Sequence, residues 1–175
     1  MLRLAIPSAE MYDEQKEEFI TVKAQVLELE HSLVALSKWE SKWHKPFITK
    51  DPKTYEETVD YIKCMTITPD VDPLVYMFLS DKHIEQVNAY IENPMTATTF
   101  NNQGKGRQSS EFITNELIYY WMVALTIPFE CETWHLNRLL TLIQICNIKN
   151  QPPKKMGRNA ILNQNAALNK ARRAK

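Results

Sequence analysis

The run Gln25-Val-Leu-Glu-Leu-Glu-His-Ser-Leu-Val-Ala-Leu-Ser-Lys-Trp-Glu-Ser-Lys-Trp43 decides how this chain is read. From about Gln25 onward, Val26, Leu29, Leu33, Val34 and Leu36 fall at helical spacing, with neither Pro nor Gly before Trp43. That is the pattern of an amphipathic helix. Lys45-Pro46 ends it, because a residue before proline is driven out of the helical region. On the N-terminal side, Leu2 to Pro7 alternates apolar and polar residues, and Phe19 to Val22 favours β-structure. Polar Ser8 to Glu18 separates them, so the spacing predicts a small N-terminal β-hairpin.

On the C-terminal side, Thr54-x-x-Glu57 is a capping-box pattern, with Val59, Ile62 and Met65 following on one face. It predicts a helix that closes near Thr66 to Pro69. Asp72-Pro73 opens a short helix through Leu79. Ser80 caps Asp81 to Glu92, with Ile84, Val87, Tyr90 and Ile91 as its stripe and Pro94 as its stop. Thr-rich Met95 to Phe100 reads as a short strand, and Asn101 to Ser109 as an exposed loop. Ser109 or Ser110 then caps a helix from Glu111 to about Thr126. Ile113, Leu117, Tyr120, Trp121, Ala124 and Leu125 lie widely around its axis, which predicts the most buried helix of the chain. Pro128 breaks it. Thr133 caps a last core helix, Trp134 to about Asn150, with Leu136, Leu139, Leu140, Ile143 and Cys146 inward. After Pro152-Pro153, the Ala- and Leu-rich piece from Ala160 to Arg173 has too thin an apolar strip to hold as a lone helix, and reads as a tail that orders on docking. The expected fold is mainly α (α+β): a helical domain of about five helices with the hairpin over residues 1–150, and a basic tail over 151–175.

Composition narrows the functions open to it. The chain has 175 residues, 44% of them hydrophobic, enough for one core. With only three glycines, Gly104, Gly106 and Gly157, no GxGxxG or GxxxxGK[ST] phosphate loop can be written. Cys64, Cys131 and Cys146 form no CxxC and read as reduced thiols of a reducing cytoplasm. The first residues are too short a run for a secretion signal, and apolar stretches break before the about 18 residues that a membrane span needs, so neither is expected.

Net charge is zero, from 21 basic and 21 acidic residues, but the charges are segregated. Glu132 is the last acidic residue. Thr133 to Lys175 carries nine basic residues and no acidic one, whereas the preceding part has 12 basic against 21 acidic, so the two parts carry +9 and −9. A basic tail on an acidic body has three outlets: the body itself, an acidic partner, or nucleic acid. The tail has no aromatic residue to stack on bases, which weighs against nucleic acid.

Candidate chemistry is sparse. No two of His31, His44, His83 and His135 are spaced as ligands on one helix face, and no HExxH occurs, so no metal site is expected. His31, beside Glu28 and Glu30, reads as part of a solvated helix face. Glu56, Glu57 and Asp60 read as a capped, solvated first turn. Cys131 and His135 would make a thiolate–imidazole pair only if one helix carried both, and Thr133 reads as a cap between them. No catalytic residue and no cofactor are expected. Trp39 and Trp43 stand at i, i+4 with Phe47 just beyond. They either pack in the core under Trp121, Tyr119 or Trp134, or form an aromatic groove for a partner segment.

Several blocks resemble a set of tailed-phage proteins. They are Leu29-Glu-His-Ser-Leu-Val-Ala-Leu-Ser-Lys-Trp-Glu-Ser-Lys-Trp43 with Lys45-Pro-Phe47, Asp60-Tyr-Ile-Lys-Cys-Met65, Pro94-Met-Thr-Ala-Thr-Thr-Phe100 and Ile118-Tyr-Tyr-Trp-Met122. Ile127-Pro-Phe-Glu-Cys131, Trp134-His-Leu-Asn-Arg-Leu-Leu-Thr-Leu-Ile143, Cys146-Asn147, Pro152-Pro-Lys-Lys-Met156 and Asn165-Ala-Ala-Leu168 extend the likeness over most of the chain. It is similar to the tail assembly chaperones of long-tailed bacteriophages. The resemblance implies a non-enzymatic protein of viral morphogenesis in the host cytoplasm, absent from the mature virion. It implies that the protein binds the tape measure protein, keeps it soluble and brings tail tube protein to it, with homo-oligomerisation left open. The partner-binding residues expected on this reading are Trp39, Trp43 and Phe47 on the groove and Lys154, Lys155, Arg158, Arg172 and Arg173 on the tail. A structural component of the tail or head–tail connector, and a nucleic-acid-binding accessory protein acting through the tail, are the alternatives.

Overall fold

The computed structural model describes residues 1–13, 17–100 and 112–151, together with Leu162, Ala166 and Arg172. Four strands open the chain: β1 (Leu2–Ile6), β2 (Ala9–Asp13), β3 (Glu18–Val22) and β4 (Gln25–Leu29). β1 pairs antiparallel with β4, from Leu2 opposite Leu29 to Ile6 opposite Gln25. β2 pairs with β3, from Ala9 opposite Val22 to Asp13 opposite Glu18. Both ladders keep one register, so they are two halves of a single long hairpin. The break falls at Pro7-Ser8, where proline has no N–H to give a ladder.

The hairpin differs from the expected one in extent and partner. Gln25–Leu29 is its last strand, where helical spacing predicts the start of a helix. Leu27 and Leu29 alternate toward the core against Leu4 and Ile6, all four buried, while Val26 points out and is exposed. Period-two burial against β1 therefore prevails over a coincidental match to the helical repeat. Ser8 to Glu18, expected as a polar connection, contains β2.

Helix α1 (Leu33–Trp43) begins only after Ser32, whose Oγ accepts the Ala35 N–H at 3.2 Å. It ends at His44, which takes a left-handed conformation with φ 53° before Lys45-Pro46. Helix α2 (Tyr55–Met65) carries the expected capping box on Thr54 and Glu57. The chain leaving α2 pairs with the free edge of β4, through Glu30 N–H to Met65 O at 2.9 Å and Ile67 N–H to Glu28 O at 2.8 Å. That edge is thereby closed to other strands. A 3-10 turn (Pro73–Phe78) follows, opened by the Asp72 carboxylate on Leu74 N–H, and then α3 (Asp81–Glu92). Met95–Phe100 is irregular, not the strand expected from its threonines. The expected loop at Asn101 to Ser109 lies outside the described residues.

Helix α4 (Asn115–Ala124) is capped by Thr114, four residues or more beyond the serines expected to cap it. A second 3-10 turn (Phe129–Thr133) leads into α5 (Leu136–Asn150), which is capped by His135 and not by Thr133. The Thr133 hydroxyl is instead spent on the Glu130 carbonyl within the turn. One core runs through all these elements, with Leu27, Leu36, Trp39, Ile62, Val87, Ile118 and Leu139 among its members. The architecture is thus mainly α, in an α+β arrangement with a hairpin at one end. Helix α4, expected to be the most buried, buries only Asn115, Ile118 and Met122. It packs one stripe against α1 and leaves its apolar excess outside.

Candidate functional site

The aromatic residues singled out in the sequence are drawn together by α1, α2 and the loop between them. Trp39 stacks on Trp43 at 6.1 Å between centroids and meets Phe47 edge-on at 5.1 Å. Phe47 stacks in turn on Tyr61 at 3.9 Å. Trp39 is 1% exposed and donates its indole N–H to the Glu57 carbonyl at 3.0 Å. Phe47 is buried too, at 8% exposure. Trp43 is half-buried and donates to Asp60 Oδ2 at 2.9 Å. The expected partner groove of Trp39, Trp43 and Phe47 is therefore a closed knot, and two of its three rings offer a partner no surface. Their packing partner is Tyr61, where the sequence suggested Trp121, Tyr119 or Trp134.

The carboxylates of α2 lock this knot. Lys45 pairs with Glu57 and Lys42 with Asp60. Both carboxylates are buried, which corrects the expectation of a solvated face; Glu56 alone is exposed. The Lys45 hydrogen bond, then the Thr54 backbone, holds Glu57 below its ordinary range. Burial pushes Asp60 upward, but the hydrogen bonds from Lys42 and Trp43 outweigh it and leave its pKa lowered. Glu40 of α1 has a different task. It accepts the Phe47 N–H at 2.7 Å, the Asn115 N–H at 2.7 Å and the Asn115 side-chain amide at 2.6 Å. One buried carboxylate thus meets the free N–H at the start of α4 and pins that helix to α1.

His31 is also buried, 3% exposed, and precedes α1, so it is not on the solvated helix face expected of it. Its Nδ1 shares a 2.6 Å hydrogen bond with the Tyr61 hydroxyl, and its ring lies 5.1 Å from that of His135. His135 Nδ1 accepts the Asn137 N–H at 3.3 Å, so Nε2 carries the hydrogen and donates to the Tyr90 carbonyl at 3.1 Å. The Tyr90 hydroxyl donates to Glu30 at 2.6 Å, and the other Glu30 oxygen meets the Met1 amine at 3.0 Å. Burial, and then the adjacent His135, pull His31 down to about 3. Burial also lowers His135. Both rings are held neutral.

These groups form a structural seam between the starts of α1 and α5. Cys131 is buried in its 3-10 turn, and burial with Glu130 pushes the thiol up, away from a nucleophilic thiolate. Among the described residues no group of three or more His, Cys, Asp or Glu side chains is placed to hold a metal ion. A cleft of about 420 Å³ between Phe47, Ile91, Leu136 and Leu140 is apolar-floored, with Lys53 and Glu92 on its lining. No helix among the described residues is long and apolar enough to cross a membrane.

The open surface lies elsewhere. Glu116, Tyr120, Val123 and Ala124 form one stripe of α4, spaced as a single helix face and exposed. Tyr120 is 66% and Val123 63% exposed, and exposed Phe112 and Phe129 lie just before and after the helix. Phe129 packs beside Tyr119, whose hydroxyl donates to Glu132 at 2.8 Å. From Phe112 to Asn137 the chain has no Lys or Arg, while Glu116, Glu130 and Glu132 are acidic. The sequence signal for this face was an apolar set wider than one packing stripe can absorb. A second exposed pair, Tyr12 and Phe19, crosses the outer half of the hairpin at 5.1 Å. Of the tail residues expected to bind partners, Arg172 is helical and exposed, and Lys154, Lys155, Arg158 and Arg173 lie outside the described residues.

The fold and this surface define a mainly α protein with an exposed helix face that carries Tyr120, Val123 and Glu116. Comparison with protein-family models, with curated proteins and with solved structures returns no match.

Proposed function

We propose that this protein is a binding module with no reaction of its own, a phage tail assembly chaperone that holds the tape measure protein soluble. The observation that carries the reading is the outer face of α4, where Tyr120 and Val123 are exposed on one helix face, with exposed Phe112 and Phe129 before and after the helix in the chain. Contiguous exposed apolar surface marks interaction sites. A helix face of this kind suits an apolar stripe on a helical client, laid alongside it. The resemblance of several sequence blocks to tail assembly chaperones is what points to the tape measure protein as the client. The basic tail, facing acidic segments of the tube protein or tape measure, would recruit tube subunits. The protein acts in the host cytoplasm and leaves before the particle is complete.

Co-expression with the tape measure protein tests this. The wild type should keep that protein in the soluble fraction, and Tyr120→Ser/Val123→Ser should leave it in the pellet with the chaperone still folded. A client wholly insoluble beside the wild type overturns the reading. Stoichiometric copies in purified virions would instead make the protein a structural component.

A further inference from the structure

We propose that the cleft between residues 47–53, α3 and the start of α5 is a binding site for a small apolar carboxylate, a hydrocarbon body with a single anionic end. Its volume of about 420 Å³ is that of a ligand site. Phe47, Ile91, Leu136 and Leu140 supply an apolar floor. The walls are held in place before any ligand arrives. Asn137 donates its side-chain amide to the Ile91 and Asn93 carbonyls, at 2.8 Å each, and ties α5 to the end of α3. The Phe47 N–H is held by Glu40, and Ile48 is bridged to Ile113. A site with fixed walls loses little to ordering when it is filled.

The charge on the lining selects the ligand. Lys53 is half-buried, with Nζ 4.1 Å from the centre of the Phe47 ring. Among the described residues it makes no ion pair: Glu57 is committed to Lys45, and Asp60 to Lys42. An ammonium partly withdrawn from water, with no carboxylate of its own, keeps unmet donors that a ligand carboxylate would satisfy. Burial, with Lys45 nearby, outweighs Glu57 and Asp51 and holds Lys53 below the usual lysine range. His31 adds a neutral donor to the lining. The buried Tyr61 hydroxyl has no acceptor among the described residues other than His31 Nδ1, 2.6 Å away, so it donates there and the imidazole carries its hydrogen on Nε2. That N–H has no acceptor among the described residues. Glu92, the carboxylate on the lining, is exposed at the end of α3, where water and salt screen it. The cleft shares no residue with the α4 face named for the client, so either reading can fail without the other.

Titration of the full chain with octanoate, followed by methyl NMR, tests the proposal. The methyls of Ile91, Leu136 and Leu140 should shift together, with a Kd of about 1 mM or tighter. Octanamide, of the same length but uncharged, should bind about tenfold more weakly, the ratio expected for one charge-assisted contact. Lys53→Gln should weaken octanoate about tenfold and leave octanamide unchanged, and Lys53→Arg should retain octanoate. Asn88 is exposed on the rim, so Asn88→Trp should narrow the cleft and weaken both ligands with the thermal transition unchanged. Octanoate that shifts no methyl of the cleft at millimolar concentration overturns the proposal. So does equal affinity for octanoate and octanamide, or octanoate binding that survives intact in Lys53→Gln. Shifts confined to Val123 also overturn it, by making the open face of α4 the ligand's site.

Discussion

Trp39 and Tyr120 are both large aromatic residues on helices of about three turns, and α1 and α4 pack on each other. One is 1% exposed and the other 66%. Around Trp39 the shell is complete: Trp43 stacks on it, Phe47 and Tyr61 meet it at right angles, Glu57 accepts the indole N–H through its carbonyl, and Lys42 and Lys45 neutralise the carboxylates of α2. Around Tyr120 the shell is incomplete: Glu116 stands one turn back on the same exposed face, and the ring stays open. The difference teaches that aromatic density in a sequence locates a core as readily as an interface. What separates the two is whether enough neighbouring groups exist to complete the shell.

Breaking the closed region should be costly. Trp39→Ala removes the centre of the knot and should lower unfolding free energy by about 3–5 kcal/mol in urea denaturation. Glu40→Ala should follow at about 3 kcal/mol, since it orphans the Phe47 and Asn115 N–H groups in the interior. Chemical shifts at the start of α4 should move in that variant.

Acid attacks the same region by another route. His31 and His135 are neutral when folded, with pKa values below 6.5, so the unfolded chain binds the additional protons. The stability tied to His31 is complete above pH 6.5 and is lost as pH falls toward about 3, and His135 acts in the same direction. For His31 alone the slope is about 1.4 kcal/mol per pH unit, or roughly 2 kcal/mol between pH 6.5 and 5. Glu57 and Asp60, held below their ordinary range by lysines, add to the loss at lower pH still. Denaturation titrated against pH should show this slope, and His31→Gln should flatten it.

The open region should respond in the opposite way. Tyr120→Ser and Val123→Ser should each change stability by no more than about 0.5 kcal/mol while altering binding. A loss above that in either variant would mean that the face is covered within the fold. That outcome would erase the contrast between the two helices.

Local chemistry was the legible part of the sequence. Thr54 with Glu57, Asp72 before Pro73, and Ser80 before Asp81 each announce an element whose bonds close within a few residues, and these starts agree with the structure. Gln25–Leu29 misled because Val26, Leu29 and Leu33 fit a helix while Leu27 and Leu29 fit a strand, and only pairing with β1 decides. His31 and Glu40 were illegible for a related reason: Tyr61 lies 30 residues from His31, and Asn115 lies 75 from Glu40. The open face of α4 was misread because an apolar helix looks buried until the number of stripes its neighbours can cover is known.

The seam between the start of α1 and the start of α5 has a consequence for synthesis of the chain. Leu136 N–H donates to the His31 carbonyl at 2.6 Å, and Ser32 bridges His135. A nascent chain therefore holds its hairpin and first helices at the ribosome with one wall missing until residue 136 emerges. Completion of the interior is a late, long-range event, and pairings this distant along the chain close slowly. Until then the floor that α5 covers is open to whatever lies near the exit tunnel.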